Sequence, residues 1–136
     1  MAAESLVESK FQTSKLLADA LVSSGAPLLA AYWDFDENVD RWTLMLVPTS
    51  LSDQGRLIEQ ATDLLVKSPY RQVFSLSDPA VDGHQIHRAR ALAAHVRNEP
   101  FVGRRIDMTI TGGELFESVI PVYFKPELMT RLSVAS

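Results

Sequence analysis

The sequence predicts an α/β domain of the mixed α+β kind, with elements in the order α-β-β-α-β-α-β-β and helices packed on a mixed five-stranded sheet. Three observations carry this reading. Apolar residues recur at helical spacing in three separate segments. Two apolar runs, 28–35 and 41–47, flank a short polar stretch. The run 105–111 alternates apolar and polar residues before Gly112-Gly113, a tight-turn pair.

The first helix is expected from about Glu4 to Ser24. Leu6, Val7, Phe11, Leu17, Ala18 and Leu21 share one side, and Glu8, Gln12, Lys15 and Asp19 the other. Gly25 and Pro27 end it, since glycine tolerates the left-handed C′ conformation and proline cannot continue a helix. Leu28–Phe35 and Arg41–Val47 form a hairpin around Asp36-Glu37-Asn38-Val39-Asp40. Leu29, Ala31, Trp33 and Phe35 are expected on one face of its first strand, and Trp42, Leu44 and Leu46 on one face of its second. Met45 and Val47 make the reverse face apolar as well, so that strand needs cover on both sides.

Pro48 ends the hairpin. Ser50 or Ser52 can cap a second helix, with Asp53 near its positive end and Leu57, Ile58, Ala61, Leu64 and Leu65 as its buried stripe. Pro69 closes it. Gln72–Leu76 reads as a short third strand, followed by the polar loop 77–83 and a third helix from about His84 to Asn98, whose core face is Ile86, Ala89, Leu92, Ala93 and Val96. Arg105–Thr111 and Leu115–Phe124 are the last two strands; Pro121 makes the latter an edge strand or places a bulge there. Residues 1–125 are read as one domain and 126–136 as a tail that frays or forms a short helical turn around Leu128 and Met129. Strands two to four, joined through helices, are expected to be parallel with right-handed crossovers, and strands one and five antiparallel at the margins. Sequential strand order puts the second and third helices on one face. The first helix, or a partner chain, covers the other.

Composition narrows the function classes. The chain has 136 residues, 46% apolar and 22% charged, enough to bury a core without staples. It lacks cysteine, which excludes disulfides, thiolate zinc sites and cysteine nucleophiles and fits a reducing, cytoplasmic setting. The N-terminal residues lack the pattern of a signal peptide, and no apolar run approaches the ~20 residues of a membrane span. The net charge of −4 argues against nucleic acid as a partner. No phosphate-loop, dinucleotide-fold or nucleophile-elbow pattern is present, and nothing calls for a cofactor.

Four groups of residues remain as candidates. Asp34, Asp36, Glu37 and Asp40 could offer oxygen ligands to Mg²⁺ or Ca²⁺, but lack the spacing of a calcium loop and suit a solvated hairpin tip equally, so no metal is assigned. Asp78, Asp82 and His84 lie where loops of open α/β sheets commonly bind ligands. An aspartate could orient the histidine as a general base there, although Asp-Pro and Asp-Gly are also ordinary turn formers. His84, Arg88 and His95 form a strip on the third helix, flanked by His87, Arg90 and Arg97, with Arg104 and Arg105 following; this excess of cations is either an anion site or a solvated face. Tyr32, Trp33, Trp42 and Met45 are the candidate interface residues of the first hairpin.

The leading expectation is a cytoplasmic, non-enzymatic binding or accessory protein acting as a homodimer through that hairpin, with a further protein partner open. Two alternatives stand beside it. One is a small metal-dependent hydrolase or nuclease using the 78–84 loop. The other is anion or nucleic-acid binding by the third helix.

Overall fold

A computed structural model describes residues 6, 8–75, 77–97 and 100–129. Glu4, Ser5 and Val7 of the expected first helix, Leu76 of the expected third strand, Asn98 and the tail from residue 130 lie outside the described residues. The elements are α1 (Glu8–Ser23), β1 (Leu28–Asp36), β2 (Arg41–Pro48), α2 (Gln54–Leu65), α3 (Tyr70–Val73), β3 (Pro79–Val81), α4 (Ile86–Val96), β4 (Ile106–Thr111), β5 (Glu114–Phe124) and α5 (Pro126–Met129). Single 3-10 turns, Leu51–Asp53 and Gly83–Gln85, lead into α2 and α4. Among the described residues no helix is long and apolar enough to cross a membrane.

The α/β class is as expected, with one mixed five-stranded sheet in the order β3-β2-β1-β5-β4. β1 lies at its centre, antiparallel to β2 on one side and to β5 on the other. β4 is antiparallel to β5, and β3 is parallel to β2. Two topological expectations are corrected. The first and fifth strands are not marginal, because the last strand returns to pair with the first. β4 consequently reaches the far edge through its hairpin with β5 and is not a parallel neighbour of β3.

Period-two alternation gives β1 two buried faces. Ala31, Trp33 and Phe35 join Trp42, Leu44 and Leu46 in a core covered by α1, α2 and α3. Ala30 and Tyr32 join Val47, Val119 and Phe124 in a second core, beneath Ala89, Leu92, Ala93 and Val96 of α4 and Leu128 of α5. The expected grouping of helices is therefore corrected: α1 and α2 share one face, and α4 covers the other alone but for α5. Leu29, expected beside Ala31, lies in the second core because the register slips between Leu28 and Ala30.

Local chemistry explains most boundaries. α1 ends in a Schellman turn: the Ala26 N–H donates to the Leu21 carbonyl (2.9 Å) and that of Gly25 to Val22 (3.0 Å), with Gly25 at φ 78°. Neither Ser50 nor Ser52 caps α2. Asp53 takes the N-cap, and its carboxylate accepts hydrogen bonds from Thr49 (2.8 Å) and Ser50 (2.9 Å) that hold it below the usual carboxylate range. Pro121 sits in an internal strand beside a bulge, where Ala31 pairs with Tyr123 and Tyr32 with Pro121.

The expected third strand is the clearest correction. Residues 70–73 are a helical turn, because Tyr70 and Phe74, four residues apart, both enter the first core. The Phe74 ring lies 6.0 Å from that of Trp33. The strand forms instead at Pro79–Val81, inside the stretch expected to be a loop.

The β4–β5 hairpin has its own irregularity. Met108 and Glu117 fall opposite each other between the paired positions Asp107–Ser118 and Thr109–Phe116, and Met108 has φ 43°. Beyond this point the faces exchange. Ser118 pairs with Phe35 of the first core, yet Phe116, which even spacing would put on the same face, is buried in the second core.

Candidate functional site

The acidic residues of the first hairpin do not converge. Asp34 is on the α4 side of β1, where the Arg88 guanidinium donates to it at 2.6 Å. Asp36 accepts the Asn38 backbone N–H at 2.9 Å, a local turn bond. Burial, and then the neighbouring Glu37, raise the Glu117 carboxyl. Among the described residues, no group of three or more histidines and acids is arranged to hold a metal.

Asp78 and Asp82 flank β3 rather than sharing a loop, so they stand roughly 13 Å apart at the rise of an extended chain. Asp78 is buried; its carboxylate meets Lys10 Nζ at 2.9 Å and accepts the Ser75 N–H at 2.9 Å. Asp82 accepts the His84 N–H at 2.9 Å and faces His84 Nδ1 at 3.2 Å. The aspartate and histidine of the expected pair do meet, with the imidazole 83% exposed.

The cations do not form a strip either. Arg88 turns inward: besides Asp34 it donates to the Leu115 carbonyl at 2.7 Å, and its guanidinium lies 4.1 Å from the centroid of the Phe116 ring. Arg105 is on the other side of the sheet, donating to Asp107 at 2.9 Å, with its guanidinium 5.5 Å from the Trp42 ring. His87 faces the Gly112 carbonyl at 3.1 Å, and Arg97 donates to the Leu128 carbonyl at 3.2 Å. His84, Arg90, His95 and Arg104 are exposed.

The hairpin aromatics are interior. Tyr32 and Trp33 have no exposed surface, and Trp42 retains 8%. Trp33 donates from Nε1 to Ser14 Oγ (3.0 Å), and Tyr32 donates to Gln85 (3.1 Å), with burial holding its hydroxyl far above the ordinary range. Met45 packs against the second core.

A concave surface does lie beside the 78–84 segment, but different residues make it. A cavity of about 370 Å³ opens along β3, between that strand and α2. Leu46, Pro79, Ala80 and Val81 supply the sheet side; Ile58, Ala61, Thr62, Leu65 and Val66 the helix; Arg71, Phe74 and Ser75 the end. Ile58 and Val66 are 43% and 61% exposed. The volume is that of a small-ligand site, and the lining has the usual mix of apolar walls and few polar groups.

Two local features shape the groove. β3 has only three residues, so the sheet stops short beneath α2. α2 stops before Pro69 and α3 follows as a separate helical turn, with Phe74 buried and Arg71 exposed. Arg71 is the only charged residue in the lining, and its side chain has no hydrogen bond or ion pair among the described residues. Sequence reasoning placed Ile58 in the buried stripe and did not single out Thr62, Val66 or Arg71. Val66, an apolar residue directly after that stripe, was the available signal for a second apolar flank on α2.

Comparison with protein-family models, with curated proteins and with solved structures finds no match to this chain.

Proposed function

We propose that this protein is a non-enzymatic binding protein whose ligand site is the groove between α2 and β3. One observation carries the reading: an open apolar cavity contains a single cation with no side-chain partner among the described residues, whereas the acidic and aromatic candidates of the sequence are engaged elsewhere. Asp34 and Arg88 satisfy each other, Asp78 is held by Lys10, and the aromatics fill the cores. The groove combines uncovered apolar surface with a charge that has no side-chain partner among the described residues, the pairing that gives a pocket both affinity and orientation. Tyr32, Trp33 and Trp42 are buried in the chain's own cores, so the proposal rests on the groove and not on pairing of two copies through the first hairpin.

The test is displacement of an environment-sensitive apolar anionic dye. Thr62 is exposed on the groove wall, so Thr62→Trp fills the cavity without entering the core. The wild-type protein should enhance dye emission saturably, and the folded variant, checked by circular dichroism, should not. Equal enhancement by both would refute the groove as the site.

A further inference from the structure

We infer that the occupant of this groove is an extended peptide strand carrying an acidic group, bound by adding to the free edge of β3. The inference rests on the groove being the ligand site and names what fills it. Two independent features lead to it.

The first is the hydrogen-bonding state of β3. Its backbone turns toward β2 at Asp78, whose carbonyl accepts the Leu44 N–H (2.6 Å), and at Asp82, whose N–H donates to the Leu46 carbonyl (3.2 Å). Strand periodicity then turns the intervening odd positions outward. The Pro79 carbonyl and both backbone groups of Val81 face the open side, at the last strand of the sheet. These are the same residues that line the cavity. An incoming antiparallel strand can exchange two bonds with Val81 and donate a third to the Pro79 carbonyl. Pro79 has no N–H to give, so the added ladder is short.

The second is charge. A strand laid on this edge points alternate side chains toward α2, where Ile58, Leu65 and Val66 offer apolar contacts. The one charge they meet among the described lining residues is the guanidinium of Arg71, which has no side-chain partner among the described residues. A side-chain or terminal carboxylate on the peptide complements it, with the planar fork suited to bidentate contact. The groove therefore selects alternating apolar residues with one acid in register, and disfavours a cation at that position.

The experiment is selection of short random peptides, displayed on phage, against immobilised full-length protein, with the Thr62→Trp variant as counter-selection. Enriched sequences should alternate apolar residues and carry Asp, Glu or a free carboxyl terminus. Arg71→Gln should weaken a selected peptide about threefold to fivefold, as for an exposed ion pair, and leave its amide counterpart nearly unchanged. Methylating the peptide nitrogen that donates to Val81 should weaken binding by about tenfold, the worth of one hydrogen bond. Failure to enrich any peptide dependent on the open groove, or indifference to both Arg71→Gln and N-methylation, would overturn the inference. Sodium decanoate separates this from the broader reading. If decanoate displaces the dye from the wild-type protein while no peptide is selected, the groove is a small-amphiphile site. If dye, decanoate and peptides all fail, the groove is not a binding site at all.

Discussion

Arg88 on α4 and Asp34 on β1 meet at 2.6 Å, with both side chains less than one fifth exposed, and so tie the helix to the central strand of the sheet. Burial raises the Asp34 carboxyl despite the opposing pull of Arg88. The pair is thus costly to desolvate and costlier to break. Removing the arginine leaves a carboxylate in a poor environment, whereas removing the carboxylate leaves Arg88 its bond to the Leu115 carbonyl and its place over Phe116. Arg88→Met should cost about 3 kcal/mol and Asp34→Asn distinctly less. Urea unfolding of both single variants and the double variant measures the difference; equal losses would contradict this asymmetry.

Trp33 and Ser14 form a second buried link, between β1 and α1, at 3.0 Å. Ser14→Ala should destabilise the protein by about 1–3 kcal/mol, because the indole N–H then has no acceptor in a dry core. Chemical denaturation gives the value. A change near zero would mean that water or a shifted side chain takes the place of the hydroxyl.

Gly112 and Gly113 share the β4–β5 turn and positive φ values of 57° and 79°, but differ in surroundings. A Cβ on Gly112 would stand 2.7 Å from that of Ala91 on α4, while one on Gly113 meets open space. Both alanine substitutions incur the cost of left-handed backbone, about 1 kcal/mol or more. Gly112→Ala should lose more than Gly113→Ala, because the hairpin must also lift from α4. Melting temperatures of the two variants would show it, and the reverse order would argue against this contact.

Asp107 and Asp34 respond to acid in opposite senses. The Ser118 hydroxyl (2.6 Å) and then Arg105 (2.9 Å) hold the Asp107 carboxyl below its ordinary range. Its contribution is therefore present above the unfolded value, roughly 4, and is lost as pH falls through the lower folded value. The raised Asp34 works the other way: protonation favours the folded form, and stability is lost as pH rises through its folded value. Melting curves between pH 2 and 6 should show a shallower acid decline for Asp107→Asn than for the wild type, and a variant as acid-sensitive as the wild type would count against the bond to Ser118.

The sequence makes the periodic elements legible. The first hairpin, α2, the core stripe of α4 and the last two strands all follow from the spacing of apolar residues and from Gly25, Pro48 and Gly112-Gly113. It misplaces β3 because Val73 and Phe74 look like a strand until Tyr70 and Phe74 are seen to share one helical side. Pro79–Val81 is too short to show any period. The order of strands escapes as well, since nothing local in 115–124 states that it pairs with 28–36. The candidate site was hidden for a related reason. Its lining comes from four separated stretches around Leu46, Ile58–Val66, Arg71–Ser75 and Pro79–Val81, none of which resembles a motif. The residues that did resemble sites, Asp34, Asp78 and Arg88, hold the structure together.

The central position of β1 bears on how the polypeptide is made. Leu28–Asp36 leaves the synthetic machinery well before one of its two neighbours, Glu114–Phe124, with most of the described elements in between. Until then the most apolar ribbon of the molecule has one flank open to any similar ribbon, including that of another nascent copy. Closure over so long a separation is intrinsically slow. A chain interrupted before Glu114 would therefore leave a sticky half-sheet, and protection of that flank during synthesis is a demand built into the topology.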